Sequence, residues 1–294
     1  MALIYFDIFN YPLTLNEIAR HSTISTFSET ELLKELEALQ QRKIIHTSQN
    51  FFFLPQKEYT VDRRIPGNKK ADLYIKKARK ISKFISYFPF IEGIFLSGSI
   101  SKGFADHDSD IDYFIVTSPG RLWLSRTMLI LFKKLFLFNS KKYFCLNYFI
   151  DSNHLEIPDK NIFTAIELKY LLPTYNERIY QNILKSNHWA NEYLPNFKLE
   201  NPNILPERKV FIRKVLEKAL GGYIGNILDD LCLKSTERFW KYKFRKKADQ
   251  SGISIHCKKH VSKFHPQSFQ NKVLEKYENK ISEFEKIHQL RLCS

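Results

Sequence analysis

Asp110 and Asp112 are two carboxylates one residue apart, and Gly98-Ser99 stands about ten residues before them. If the acid pair opens a strand, alternation turns both carboxylates to one face and Ile111 to the other. Like charges held together repel, and oxygen donors of this kind suit a hard cation such as Mg²⁺. A triphosphate would bring further oxygen ligands. Glycine lets backbone N–H groups approach phosphate oxygens closely, and Ser99 adds a hydroxyl donor. A phosphate cradle beside a metal-binding acid pair points to phosphoryl or nucleotidyl transfer.

The surrounding elements must hold these groups. Ile94 to Leu96 is an apolar run that reads as a buried strand, stopping at Ser97-Gly98-Ser99. Gly103 and the cluster Asp106, His107, Asp108 and Ser109 read as a loop. A second strand runs from Asp110 through Val116, and a third from Tyr143 to Ile150. Helices are expected over 69–88, ended by Pro89, over 122–138, packed on the sheet, and over 162–172, ended by Pro173. Within the last of these, Glu167 reads as a solvated helical residue.

The stretch from Ile94 to Thr117 resembles the signature of the polymerase-beta-like nucleotidyltransferase superfamily: an apolar strand, Gly-Ser, about ten residues, then Asp-x-Asp opening a second strand. Gly98-Ser99 and Asp110-Ile111-Asp112 carry the match. Ser109 fills a position where serine often precedes the first acid, and Ser97 departs from the usual apolar residue. The resemblance implies transfer of a nucleoside monophosphate from a nucleoside triphosphate to a hydroxyl acceptor. It implies two Mg²⁺ ions on Asp110 and Asp112, and phosphate contacts from Gly98, Ser99, Lys102 and Ser109. It also implies a third acid at the centre of the third strand, where this chain has Asn147. Asp151, four residues on, is the best substitute, with Glu156 next. With two acids only, the chain would be a catalytically degraded nucleotide-binding regulator.

Length and composition bound the rest. The chain has 294 residues, 46 Lys and Arg against 31 Asp and Glu, and a net charge of +15. Such a balance attracts polyanions. Four scattered cysteines form no C-x-x-C pair, which favours a reducing compartment. The N-terminal stretch lacks a basic signal region and no window is apolar enough to span a membrane, so a cytoplasmic location is expected.

The expected fold class is α+β, in three parts. Residues 1–60 show three helices and a hairpin and resemble a winged-helix module. A polar stretch over 58–70 with Pro66-Gly67 reads as a linker to a mixed-sheet nucleotidyltransferase core at 68–172. A basic, helical C-terminal region fills 173–294. DNA reading by the third helix is disfavoured, because Glu29, Glu31, Glu35 and Glu37 outnumber Lys34 and Arg42. Arg238 to Lys247 interleaves cations with aromatics, which suits either a nucleic-acid clamp or a helix with one buried aromatic face. A nucleic-acid-binding protein using the N-terminal module and the basic half is therefore a further alternative. His256, Cys257, His260 and His265 are ligand types for zinc without a second Cys pair. The acceptor stays open between a small molecule, a protein and an RNA end.

Overall fold

The computed structural model describes residues 1–24, 28–138, 140, 142–198, 204–207, 211–251, 256–263, 267–289 and 291–292, with backbone alone at 244–251, 256 and 267–268. The chain begins with α1 (Ala2–Asp7), α2 (Leu15–Arg20) and α3 (Glu29–Gln41), followed by the hairpin of β1 (His46–Ser48) and β2 (Phe51–Phe53). Thr14 and Ser28 each close a capping box, in which the hydroxyl accepts the N–H three residues on while Glu17 or Glu31 reaches back. Leu13 bridges to Phe52 and ties the segment before α2 onto the hairpin.

The linker expected over 58–70 is instead the first part of a long helix, α4 (Tyr59–Ile85), with Pro66 inside it. Pro66-Gly67 forms a notch. A Cβ on Gly67 would lie 2.3 Å from the Phe104 ring, and the Gly67 carbonyl accepts the Ala105 N–H at 3.1 Å. Asn68 donates to the Gly103 carbonyl. The helix breaker is thus where the loop after Gly98-Ser99 docks.

There follow β3 (Ile91–Ser97), the short α5 (Gly98–Ser101), β4 (Asp112–Thr117), α6 (Leu122–Phe136), β5 (Cys145–Asp151), α7 (Ile162–Lys169) and β6 (Leu172–Tyr175). Beyond them lie α8 (Glu177–Ser186), α9 (Ala190–Tyr193), α10 (Phe211–Leu220), α11 (Tyr223–Ser251), β7 (His256–Lys258), β8 (Val261–Lys263) and α12 (Gln267–His288). The sheet order is β6-β3-β4-β5-β8-β7, with β4 and β5 parallel and the other pairs antiparallel. The fold is α+β with a mixed sheet, and α6 makes the crossover that a parallel pair requires.

Three strands lie outside the expected set. Leu172-Pro173 starts β6 instead of ending a helix, and Pro173 is tolerated because β6 is an edge strand. The C-terminal region is also not purely helical: β7 and β8 form a hairpin that extends the sheet beyond β5.

Alternation gives the sheet two differently covered faces. Ile111, Tyr113 and Ile115 join Ala71, Ala78 and Trp123 in one buried cluster, on the side of α4 and α6. Phe114, Val116 and Phe95 join a second cluster that includes Tyr5 and Phe6 of α1, Leu168 of α7, and Tyr277 of α12. The first sixty residues therefore share a core with the sheet. α11 buries Trp240 edge-on to Trp123, at 6.4 Å between centroids, while Phe239 and Tyr242 of the same stretch are exposed. The side chains of Phe244 to Lys247 lie outside the described residues. No described helix is long and apolar enough to cross a membrane.

Candidate active site

β3 and β4 bring the Gly-Ser turn and the second acid together. Ser97 at the end of β3 pairs with Asp112 at the start of β4. Gly98 then takes φ +73°, in the left-handed region, and a Cβ there would lie 2.5 Å from Asp112 Oδ2. Both the backbone angle and the space demand glycine. The peptide leading into Ser99 is thereby held against the carboxylate.

Asp112 shares the sheet face of Phe114, whereas Ile111 is fully buried on the other face. Burial raises the Asp112 pKa to about 6; the charges of Asp110 and Glu167 add to the rise, while a hydrogen bond with Cys145 and the charge of Lys102 oppose it. Cys145 stands beside Asp112 in register on β5. Burial first, then Asp112, pushes its thiol well above the usual range, so the thiol stays protonated and donates.

Glu167 is the acid that sequence reading set aside. Near the end of α7 it meets Lys102 Nζ at 2.7 Å, and Lys102 also donates to the Gly98 carbonyl at 3.1 Å. Lys102 thus faces the loop and Glu167 at once. The Tyr11 hydroxyl donates to the Lys102 carbonyl at 3.2 Å from the N-terminal segment. Arg63 lies over the Phe104 ring at 4.5 Å, pairs with Asp106 at 3.1 Å and donates to the Phe9 carbonyl at 3.2 Å. Its buried neighbour Arg64 pairs with Glu17 at 2.6 Å and donates to the Pro12 carbonyl.

A cavity of about 440 Å³ opens over these groups, and its wall includes Gly98, Ser99, Lys102, Asp112, Asn147 and Glu167. Of the other expected residues, Asp110 lies two residues before the start of β4 and is felt by Asp112 through its charge. Ser109 turns to the loop, donating to Asp106 Oδ1 at 2.8 Å and accepting the Asp106 N–H at 2.8 Å. Asp151 is not brought to the cavity. It pairs with Thr117 at the opposite end of β5 from Cys145, is buried, and is held by His154 Nδ1 at 2.6 Å and the Asn153 N–H at 3.1 Å. The four-residue step from Asn147 runs along the strand and away from the site. Glu156 is exposed and pairs with Lys160 at 2.9 Å.

No group of three or more His, Cys, Asp or Glu able to hold a metal ion gathers among the described residues. His260 stacks on His154 at 4.2 Å, Cys257 is in β7, and His265 and the His256 side chain lie outside the described residues. The acid pair nonetheless suits a hard cation. The Asp112 pKa is raised first by burial and then by the charges of Asp110 and Glu167, and a cation would offset both the burial of its charge and that repulsion.

No curated protein and no solved structure significantly matches the chain. Residues 75–182 match the family model of the nucleotidyltransferase domain, a span that holds β3, the Gly98 turn, Asp110, Asp112 and Glu167. With Asp112 set against a glycine turn on a mixed sheet, residues 75–182 carry a nucleotidyltransferase domain, in support of the polymerase-beta-like superfamily.

Proposed function

We propose that the protein transfers a nucleoside monophosphate from a nucleoside triphosphate to a hydroxyl acceptor with the help of Mg²⁺. The observation that supports this reading is the close approach of the Gly98 turn to the Asp112 carboxylate, the arrangement that binding phosphate beside a metal ion would use. Asp110 and Asp112 would hold the metal, with triphosphate oxygens and water supplying the remaining ligands. Bound there, Mg²⁺ would neutralise charge on the triphosphate and favour departure of pyrophosphate.

The chain's own groups do the rest. Ser99 and the backbone N–H groups of its turn hold phosphate oxygens. Lys102 adds a positive charge beside the Gly98 carbonyl. Glu167 takes the part assigned to Asp151 by sequence: its carboxylate accepts the proton of the acceptor hydroxyl as that oxygen attacks the α-phosphorus. Cys145 keeps Asp112 oriented through its thiol hydrogen bond.

The test is thermal stabilisation by each of the four ribonucleoside triphosphates, with and without Mg²⁺, for the wild type and Asp112→Ala. A Mg²⁺-dependent rise in Tm that the variant loses supports the reading. A rise that ignores both the metal and the substitution, or no rise with any triphosphate, defeats it.

A further inference from the structure

The cavity continues from Glu167 into a chamber with an apolar and aromatic wall. Phe163, Leu168 and Leu171 stand on or beside α7 near Glu167, and Tyr5 of α1 and Phe269 of α12 complete the wall. The chamber adjoins the proposed base, and the Tyr5 hydroxyl feels the charge of Glu167. The Gly98 turn and Lys102, given above to the triphosphate, line the same cavity.

Two observations define what would fit. First, the charged side chains of the cavity wall are already matched. Lys102 pairs with Glu167, Arg63 with Asp106, and Lys263 with Asp159 at 3.6 Å, which leaves Asp112 as the wall charge without an ion pair among the described residues. A polyamine would need unpaired carboxylates beside the aromatic wall, and an RNA end would need cations besides Lys102, which the reading above gives to the triphosphate. Second, Gln270 on the same wall is 7 % exposed, and its buried Oε1 has no hydrogen-bond partner among the described residues. A buried carbonyl is costly to leave unpaired, and a ligand that donates to it would remove that cost.

We propose that this chamber seats the acceptor, and that the acceptor is a small, uncharged, ring-bearing alcohol with a polar group donating to Gln270 Oε1. The assignment rests on the nucleotidyl-transfer reading above. In the step, the acceptor hydroxyl oxygen forms a bond to the α-phosphorus. The bond from that phosphorus to the oxygen bridging to the β-phosphate breaks, pyrophosphate leaves, and the hydroxyl proton passes to Glu167. The size limits the acceptor to a small molecule, since the whole cavity, with the Gly98 turn and Asp112 included, is about 440 Å³.

The probe is 2-naphthol, a neutral ring alcohol, titrated into the full chain by ligand-observed NMR. It is run with and without each ribonucleoside triphosphate and Mg²⁺, beside spermine and a short oligoribonucleotide. The expected result is 2-naphthol binding that persists under saturating triphosphate. Gln270→Leu should weaken it about fivefold or more and leave triphosphate affinity within about twofold. Displacement of 2-naphthol by triphosphate, or weaker triphosphate binding in Gln270→Leu, would overturn the proposal by giving the chamber to the nucleobase. Binding of spermine or the oligonucleotide in place of 2-naphthol, or no binding of 2-naphthol at millimolar concentration, would also overturn it. The competition uses the wild type alone and decides even if the variant does not fold. Failure of every triphosphate to bind with Mg²⁺ strikes the transfer reading itself, and the acceptor assignment falls with it whatever 2-naphthol does.

Discussion

Lys102 and Glu167 meet at 2.7 Å although 65 residues separate them, joining the loop after β3 to α7 across the mouth of one cavity. The pair puts a cation and an anion beside Asp112, with opposite effects on its proton affinity. Glu167→Gln keeps the shape and removes the charge. The expected outcome is a fall of about 10²–10⁴-fold in nucleotidyl transfer, the range for loss of a general base. Triphosphate affinity should change little, and the Asp112 pKa should drop because one of the charges raising it is gone. Transfer of label from an α-labelled triphosphate, with NMR titration of Asp112, checks both.

Gly98→Ala is expected to damage the site more than the fold. The left-handed backbone angle costs about 1–2 kcal/mol for a residue with a Cβ. The added methyl would also press on Asp112 Oδ2 from 2.5 Å. Mg²⁺-dependent triphosphate binding should weaken at least about tenfold while circular dichroism keeps its native form. Triphosphate binding at wild-type strength would separate the turn from the metal site.

Asp112 gives the pH dependence a sign. Its folded pKa of about 6 lies above the ordinary value of 3.8. Its contribution to stability is therefore fully present below the unfolded pKa and is lost as pH rises through 6. The protein without metal should gain stability from this group as pH falls from 7 to 4, and Asp112→Asn should remove that gain in urea titrations. Mg²⁺ needs the ionised form, so Mg²⁺-dependent triphosphate binding should weaken about tenfold for each pH unit below 6.

Arg64 fastens the first sixty residues to α4. It is buried, pairs with Glu17, donates to Asn68 Oδ1 at 3.2 Å and lies over the rings of Tyr11 and Phe51 at 4.2 and 4.5 Å. Arg64→Met leaves Glu17 without its ion-pair partner and should cost about 3–5 kcal/mol in chemical denaturation. A cost below about 1 kcal/mol would mean that the segment is held by its other contacts without need of Arg64.

The parts of the site that were legible in sequence are those whose chemistry is local. Gly98-Ser99 and Asp112 could be read because the strand period and a short loop fix their relation. The caps at Thr14 and Ser28 could be read because a capping box spans four residues. Glu167 could not be, because its neighbour in space is Lys102, and nothing within α7 distinguishes it from a solvated acid. Asn147, standing where the resemblance implies an acid, points along the strand to Asp151, whereas the acid that lines the cavity is Glu167 of the next helix. Pro66-Gly67 carried the composition of a linker because the reason for it, the Phe104 ring, lies 37 residues further on. β8 was hidden by the shortness of its three residues, which become a strand by pairing with β5 and β7.

The wall of the chamber depends on α1 meeting α12, where Asp7 and Lys280 pair at 2.6 Å and Tyr5 meets Tyr277 edge-on at 5.3 Å. That ion pair spans 273 positions of sequence, whereas Gly98 and Asp112 are joined by a short loop. Contacts of such different reach carry different loop-closure entropies, and the longer closure is expected later in folding. Refolding chains should therefore pass through a species whose sheet and glycine turn are formed while the acceptor chamber still lies open, with β3 and β4 amides protected from hydrogen exchange before those of α12.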